Sequence, residues 1–224
     1  MSRLHGSDPG PWFDAPAQAA DERHILSPAQ IEALLAELPD RHRPLVAFAA
    51  YTGVRAGELR ALTWKDVDFE RRTACIDKTY YRATLQRSTK TGHDRTVPLP
   101  RHLAEMLAEW RRVCPPSPLG LCFPGPGGGP LDLDTFRARV FKPAVIRAGL
   151  PPDTRIHDLR HTSASLYLQS GATVREVMEI HGWRQMQTAL RYLHTGDSLV
   201  EAADRLSDAR ARALGSDATQ RRVS

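Results

Sequence analysis

The chain has 224 residues, with 31 Lys+Arg against 26 Asp+Glu, a net charge of +5, and 41% hydrophobic and 25% charged residues. This composition excludes a disordered chain, no apolar run approaches the roughly 18 residues of a membrane span, and nothing at the start resembles a signal peptide. Cys75, Cys114 and Cys122 form no CxxC, which excludes a disulfide-stapled small domain and points to a reducing, cytoplasmic setting.

Residues 1–24 are rich in Gly, Pro, Asp and Ala without any period, and read as a mobile lead-in. Order is expected from Ser27-Pro28-Ala29-Gln30, an N-cap serine, a first-turn proline and a glutamine placed for a capping box. Ile31, Leu34, Leu35 and Leu38 then recur at helical spacing. A second helix is predicted from Arg41 to Tyr51, stopping at Gly53, and a short third from Ala56 to Leu62. Val67–Phe69, Thr73–Ile76 and Arg95–Leu99 are strand candidates that suggest a small antiparallel sheet. Leu103, Met106, Leu107 and Trp110 restore a helical stripe until Pro115-Pro116. The glycines of Pro124–Pro130 could cradle phosphate, but no Gly-Lys-Ser/Thr follows, and a plain loop is the better reading. Helices are predicted over 134–148, 158–170, 173–181, 186–194 and 198–213. The fold class is thus mainly α with a small antiparallel β-sheet.

Three clusters could carry chemistry. In Thr52-Gly53-Val54-Arg55-Ala56-Gly57-Glu58-Leu59, Arg55 either pairs with a surface carboxylate or aims its fork at an external anion with Glu58 orienting it. In His157-Asp158-Leu159-Arg160-His161, two histidines at i and i+4 could share a metal, as in HExxH. Asp is shorter than the Glu such a site needs, Arg160 adds positive charge, and no third ligand presents itself. The rival reading makes His157 and Arg160 a proton-transfer group beside an oxyanion clamp. In the third cluster, His181-Gly182-Trp183 precedes a helix whose buried stripe is predicted as Met186, Ala189, Leu190 and Leu193, with Tyr192 on its flank. Such a tyrosine is either a packing residue with a wet hydroxyl or a nucleophile. Only four of the basic residues are lysines. An arginine-heavy set suits bidentate phosphate contacts, although GC-rich coding produces the same bias.

Taken together, the clusters resemble the catalytic domain of the tyrosine recombinases, the phage integrase family. The first arginine box resembles Thr52–Leu59 running into Leu62–Asp68. The hairpin lysine matches Lys90 in Ser88-Thr89-Lys90-Thr91-Gly92, the HxxR box matches His157–Thr162, and the closing box runs from His181-Gly182-Trp183 to Arg191-Tyr192-Leu193-His194. The resemblance covers residue 25 to the end and implies a catalytic domain over 25–213, with 214–224 a disordered tail.

It further implies a site-specific recombinase or integrase acting on double-stranded DNA. Arg55 and Arg160 would hold the non-bridging oxygens, and Tyr192 would attack phosphorus to give a 3′-phosphotyrosyl link. Lys90 would protonate the leaving oxygen, and His157 would assist as acid or base near the tyrosine. A phenol with an ordinary pKa near 10 needs such help, and two guanidiniums favour the phenolate. No cofactor, metal or ATP is implied, because the covalent link conserves the bond energy. A homotetramer on two DNA sites is also implied, open to accessory DNA-bending proteins, with a last helix that either docks on a neighbour or folds back on its own domain. Trp183 departs from the histidine usual at its position. Its indole N–H can donate to phosphate but cannot shuttle protons. The other departure is that only the lead-in precedes residue 25, where family members carry a core-binding lobe that completes a clamp. The alternatives are a catalytically silent DNA-binding remnant, or a type IB topoisomerase-like nicking and rejoining enzyme.

Overall fold

A computed structural model describes residues 24–81, 84–87, 94–190 and 192. Helix α1 (Pro28–Ala36) begins as predicted: Ser27 Oγ accepts the Gln30 amide while the Gln30 side chain accepts the Ser27 amide. After a 3-10 turn at Asp40–His42 comes α2 (Arg43–Thr52), which is buried along nearly its whole length. It ends at Gly53, whose φ of 63° lies in the left-handed region. Helix α3 (Ala56–Ala61) lies close over a β-hairpin. Gly57 permits this approach, since a Cβ there would stand 2.4 Å from Thr79 Oγ1 and 2.8 Å from the Tyr80 carbonyl oxygen.

The three expected strands form one antiparallel sheet in the order β1 (Val67–Asp68), β2 (Thr73–Ile76), β5 (Arg95–Pro98). Ala74 pairs with Val97 and Ile76 with Arg95. A second hairpin, β3 (Lys78–Tyr81) with β4 (Thr84–Arg87), has no counterpart in the sequence reading. Tyr80 is buried while Tyr81 and Leu85 are exposed, so the segment carries too few buried positions to show a period of two.

Helix α4 (Arg101–Val113) buries Leu103, Leu107 and Trp110, and the Trp110 indole donates to the Cys122 carbonyl at 2.7 Å. The single helix expected over 134–148 is instead α5 (Leu133–Phe136), a π segment (Arg137–Phe141) and α6 (Lys142–Arg147). Pro143, which has no N–H to donate, follows the widened turn, and Lys142 N–H bonds five residues back to the Arg137 carbonyl. Helices α7 (Asp158–Gln169), α8 (Val174–His181) and α9 (Met186–Leu190) complete the described fold. The predicted stripe of α9 is corrected: Ala189 is buried, but Met186 and Leu190 are exposed at 59% and 38%, and Leu193 lies outside the described residues. The inward side of this segment runs from Ala189 to Tyr192, whose amide bonds the Ala189 carbonyl at 3.0 Å. Tyr192 is therefore buried rather than on a wet flank, packed with Ala164 and Val177.

Phe48 of α2, Leu103 and Leu107 of α4, Phe141 and Leu159 of α7 meet in the main core. The buried small residues Ser163, Ala164 and Ser165 let α7 lie closely along α2. Lys90, the helix expected over 198–213 and the two terminal segments lie outside the described residues, apart from His24. Among the described residues no helix is long and apolar enough to cross a membrane.

Candidate active site

Arg55 stands at the N-cap of α3 in extended conformation, and Glu58 is the third residue of that helix. The Glu58 carboxylate accepts both the Arg55 amide, at 2.7 Å, and an Arg55 guanidinium N–H, at 3.0 Å. The Arg55 side chain remains 52% exposed, so the carboxylate holds one edge of the guanidinium and leaves the rest open to solvent. Glu58 also holds Arg95 of β5 through two guanidinium contacts at 3.0 and 2.6 Å, and Arg95 Nε donates to the Ile180 carbonyl at 2.9 Å. One carboxylate thereby ties α3, the sheet and the end of α8 together. Burial alone would raise the Glu58 pKa, but Arg95 and Arg55 outweigh it and hold the group at about 2.

Arg160, on the first turn of α7, is only 4% exposed. Its guanidinium donates to the carbonyls of Gly53 and His181 and lies over the Trp183 ring, 5.5 Å from its centroid. Burial, then the charges of Arg55 and Arg95, push Arg160 down to about 9, so it stays a cation at neutral pH. Both anchoring carbonyls come from helix ends that turn on a left-handed glycine, Gly53 after α2 and Gly182 after α8, each at φ 63°. Gly53 has no room for a side chain, since a Cβ would lie 2.3 Å from His181 Nε2. His181 is fully buried, and its Nδ1 bonds the Val177 carbonyl at 3.0 Å. Burial first, and then the Arg160 charge, lower its pKa to about 3, so it is a neutral spacer behind the arginine.

Tyr192 closes the pocket. Its ring stacks on Trp183 at 5.4 Å with an interplanar angle of 7°, and Trp183 packs on His181 at 4.8 Å. The Tyr192 hydroxyl shares a hydrogen bond with His161 Nδ1. His157, exposed one turn earlier, presents its ring edge-on to His161 at 4.8 Å. Among the described residues no group of three or more His, Cys, Asp or Glu is placed to hold a metal ion. A cleft of about 520 Å³ opens beside the pocket, lined in part by Arg95, Arg175, Gly182, Trp183 and Arg184.

Six of the seven site residues named from the sequence thus converge: Arg55, Glu58, His157, Arg160, Trp183 and Tyr192. Lys90 lies outside the described residues. Sequence reasoning missed Arg95 and the role of His161, and left His181 unassigned. A basic residue opening a strand, and a second histidine on the His157 face, were the available signals. Three guanidiniums around one carboxylate leave a net positive pocket beside a phenol, suited to an anion that gains charge during reaction.

The sequence profile of the phage integrase family matches residues 24–198. Over 154 residues the chain is 32% identical to the tyrosine recombinase XerC of Xanthomonas axonopodis pv. citri, covering 69% of this chain and 47% of that protein. The chain therefore spans about half the length of this relative. The catalytic domain of bacteriophage HP1 integrase superposes with a TM-score of 0.57 at 28% identity, covering 82% of this chain and 95% of that one. The Tn1549 transposon integrase, solved in complex with transposon right end DNA, superposes at 0.72 with 20% identity, covering 85% and 67%, and shares the fold. With a profile match across most of its length and a relative 32% identical over 69% of the chain, the chain belongs to the phage integrase family.

Proposed function

We propose that this chain cleaves and rejoins duplex DNA at specific sites through a covalent 3′-phosphotyrosine on Tyr192. The observation that carries this reading is the buried Arg160, anchored by two carbonyls beside the Arg55–Glu58 pair, in the pocket that holds the Tyr192 hydroxyl. Arg55 and Arg160 grip the non-bridging oxygens of a phosphodiester. The Tyr192 oxygen attacks phosphorus, the bond to the 5′-oxygen breaks, and the arginines neutralise charge on the pentavalent transition state. Losing one such donor typically costs on the order of 10²–10³ in rate. Trp183 donates its indole N–H and walls the pocket, Lys90 supplies the proton to the leaving oxygen, and His157 assists at the mouth. Rejoining runs the same steps backward and calls for no metal or ATP.

Family membership and the DNA complex of the Tn1549 integrase support double-stranded DNA as the partner. A homotetramer on two sites, with accessory DNA-bending proteins, extends the same reading. The test is a nicked suicide duplex and a denaturing gel. The wild-type chain is expected to give a protein–DNA adduct and Tyr192→Phe none; equal adduct from Tyr192→Phe removes the nucleophile assignment. Exchange between two labelled sites separates a recombinase from a topoisomerase-like enzyme, which relaxes a single supercoiled circle instead. Absence of adduct from the wild type on cognate DNA leaves a DNA-binding remnant.

A further inference from the structure

The phenol of Tyr192 lies against apolar neighbours, Ala164, Val177 and the Trp183 face, and is almost wholly shielded from water. A phenol in such a place needs a defined acceptor for its proton. Trp183 has only a donor N–H. His181 is walled off behind Gly53, with its Nδ1 already on the Val177 carbonyl. Arg160 has only donors, two of them already on carbonyls, and cannot accept a proton. The Tyr192 hydroxyl instead shares a hydrogen bond with Nδ1 of His161, one helical turn beyond the histidine of the HxxR box, a ring nitrogen that can accept the phenol proton.

We infer that His161, rather than His157, is the general base that takes the proton of Tyr192. This inference rests on the recombinase reading above. As the Tyr192 oxygen bonds to phosphorus, its proton passes to the lone pair of His161 Nδ1, giving an imidazolium. The bond from phosphorus to the 5′-oxygen breaks, and that oxygen takes a proton from Lys90, the acid in the reading above. In the reverse step the 5′-hydroxyl attacks, the tyrosine–phosphorus bond breaks, and His161 returns its proton to the phenolate. An imidazole, with an ordinary pKa of about 6.5, is matched to this two-way transfer near neutral pH.

The surroundings fit an exchanging base. His161 is half-buried, stacked on Tyr192 at 5.7 Å, and its outer edge meets the exposed His157, which opens a way for protons to solvent. Among the described residues, the charged and titratable groups near it include His157 on its own helix, Tyr192, and, behind the tyrosine and Trp183, Arg160 and His181. The two arginines of the clamp favour the phenolate that the transfer creates.

The first test needs no DNA. Nitrogen NMR of the full chain with labelled histidine is expected to show His161 neutral with Nε2 protonated and Nδ1 accepting, and Tyr192→Phe is expected to shift the Nδ1 resonance. A protonated Nδ1 in the neutral ring overturns the inference. The second test follows adduct formation on the nicked duplex. His161→Ala and His161→Asn are each expected to slow it by about 10²-fold or more. Asparagine can keep a hydrogen bond but not take the proton, so a near-normal rate for His161→Asn reduces His161 to positioning and overturns the inference. Added imidazole is expected to restore part of the His161→Ala rate. With sulfur replacing the bridging 5′-oxygen, Lys90→Ala is expected to recover and His161→Ala to stay slow; recovery of both contradicts a base. An adduct formed by the wild type and unchanged by His161→Ala sinks this step alone, whereas no adduct from the wild type sinks the recombinase reading and the step with it.

Discussion

The carboxylate of Glu58 is shared by the Arg55 amide and guanidinium and by the Arg95 fork, at 2.6–3.0 Å, in a largely buried position. Its pKa of about 2 lies below the ordinary 4.5. The charge-linked stabilisation is therefore complete above about pH 4.5 and is lost as pH falls through about 2. Replacing Glu58 by Gln leaves two guanidiniums without their anion, and is expected to lower the unfolding free energy by about 3 kcal/mol at neutral pH. Urea unfolding at pH 7 and again near pH 3 checks this, with the gap between variant and wild type narrowing at the lower pH. The Arg55–Glu58 half of the hub was legible, because i and i+3 share a helix face. Arg95 and His161 were not, since their partners lie 37 and 31 positions away.

Two helix ends fix the position of Arg160. Gly53 closes α2 and Gly182 closes α8, and the turned chain at each end offers a carbonyl to Arg160. The start of α8 is set by a capping box in which Thr173 Oγ1 accepts the Glu176 amide while Glu176 accepts the Thr173 amide. Thr173→Ala is expected to cost about 1 kcal/mol. Chemical denaturation should show the midpoint fall with an unchanged slope. At this scale caps and stops were readable, as Ser27, Thr173 and Gly53 act within a turn. The β3–β4 hairpin and the π segment before Pro143 were not, because pairing and packing decide them against a weak local pattern.

Across the whole molecule the net charge of +5 is modest, so grip on a polyanion must come from where the charge is concentrated. Arg55, Arg95 and Arg160 meet at one pocket, with Arg175 and Arg184 on the adjoining cleft. Binding to duplex DNA is expected to weaken steeply with salt, as phosphate contacts release counterions. Fluorescence anisotropy between about 50 and 200 mM salt measures the slope, and Arg55→Ala is expected to reduce it by about 1. An unchanged slope would remove Arg55 from the phosphate contacts.

What the sequence determined by itself is of short range: helix caps, apolar stripes and the spacing of residues inside each box. Each depends on neighbours within four positions, and local periodicity records such neighbours directly. The tertiary structure alone decided that Arg160 is anchored by Gly53, 107 positions away, that Arg95 joins Glu58, and that His161 meets the Tyr192 hydroxyl. These contacts arise where α2, α3, β5, α7 and α8 converge. Burial there strips water from polar groups and compels each to find a partner, whatever its distance along the chain.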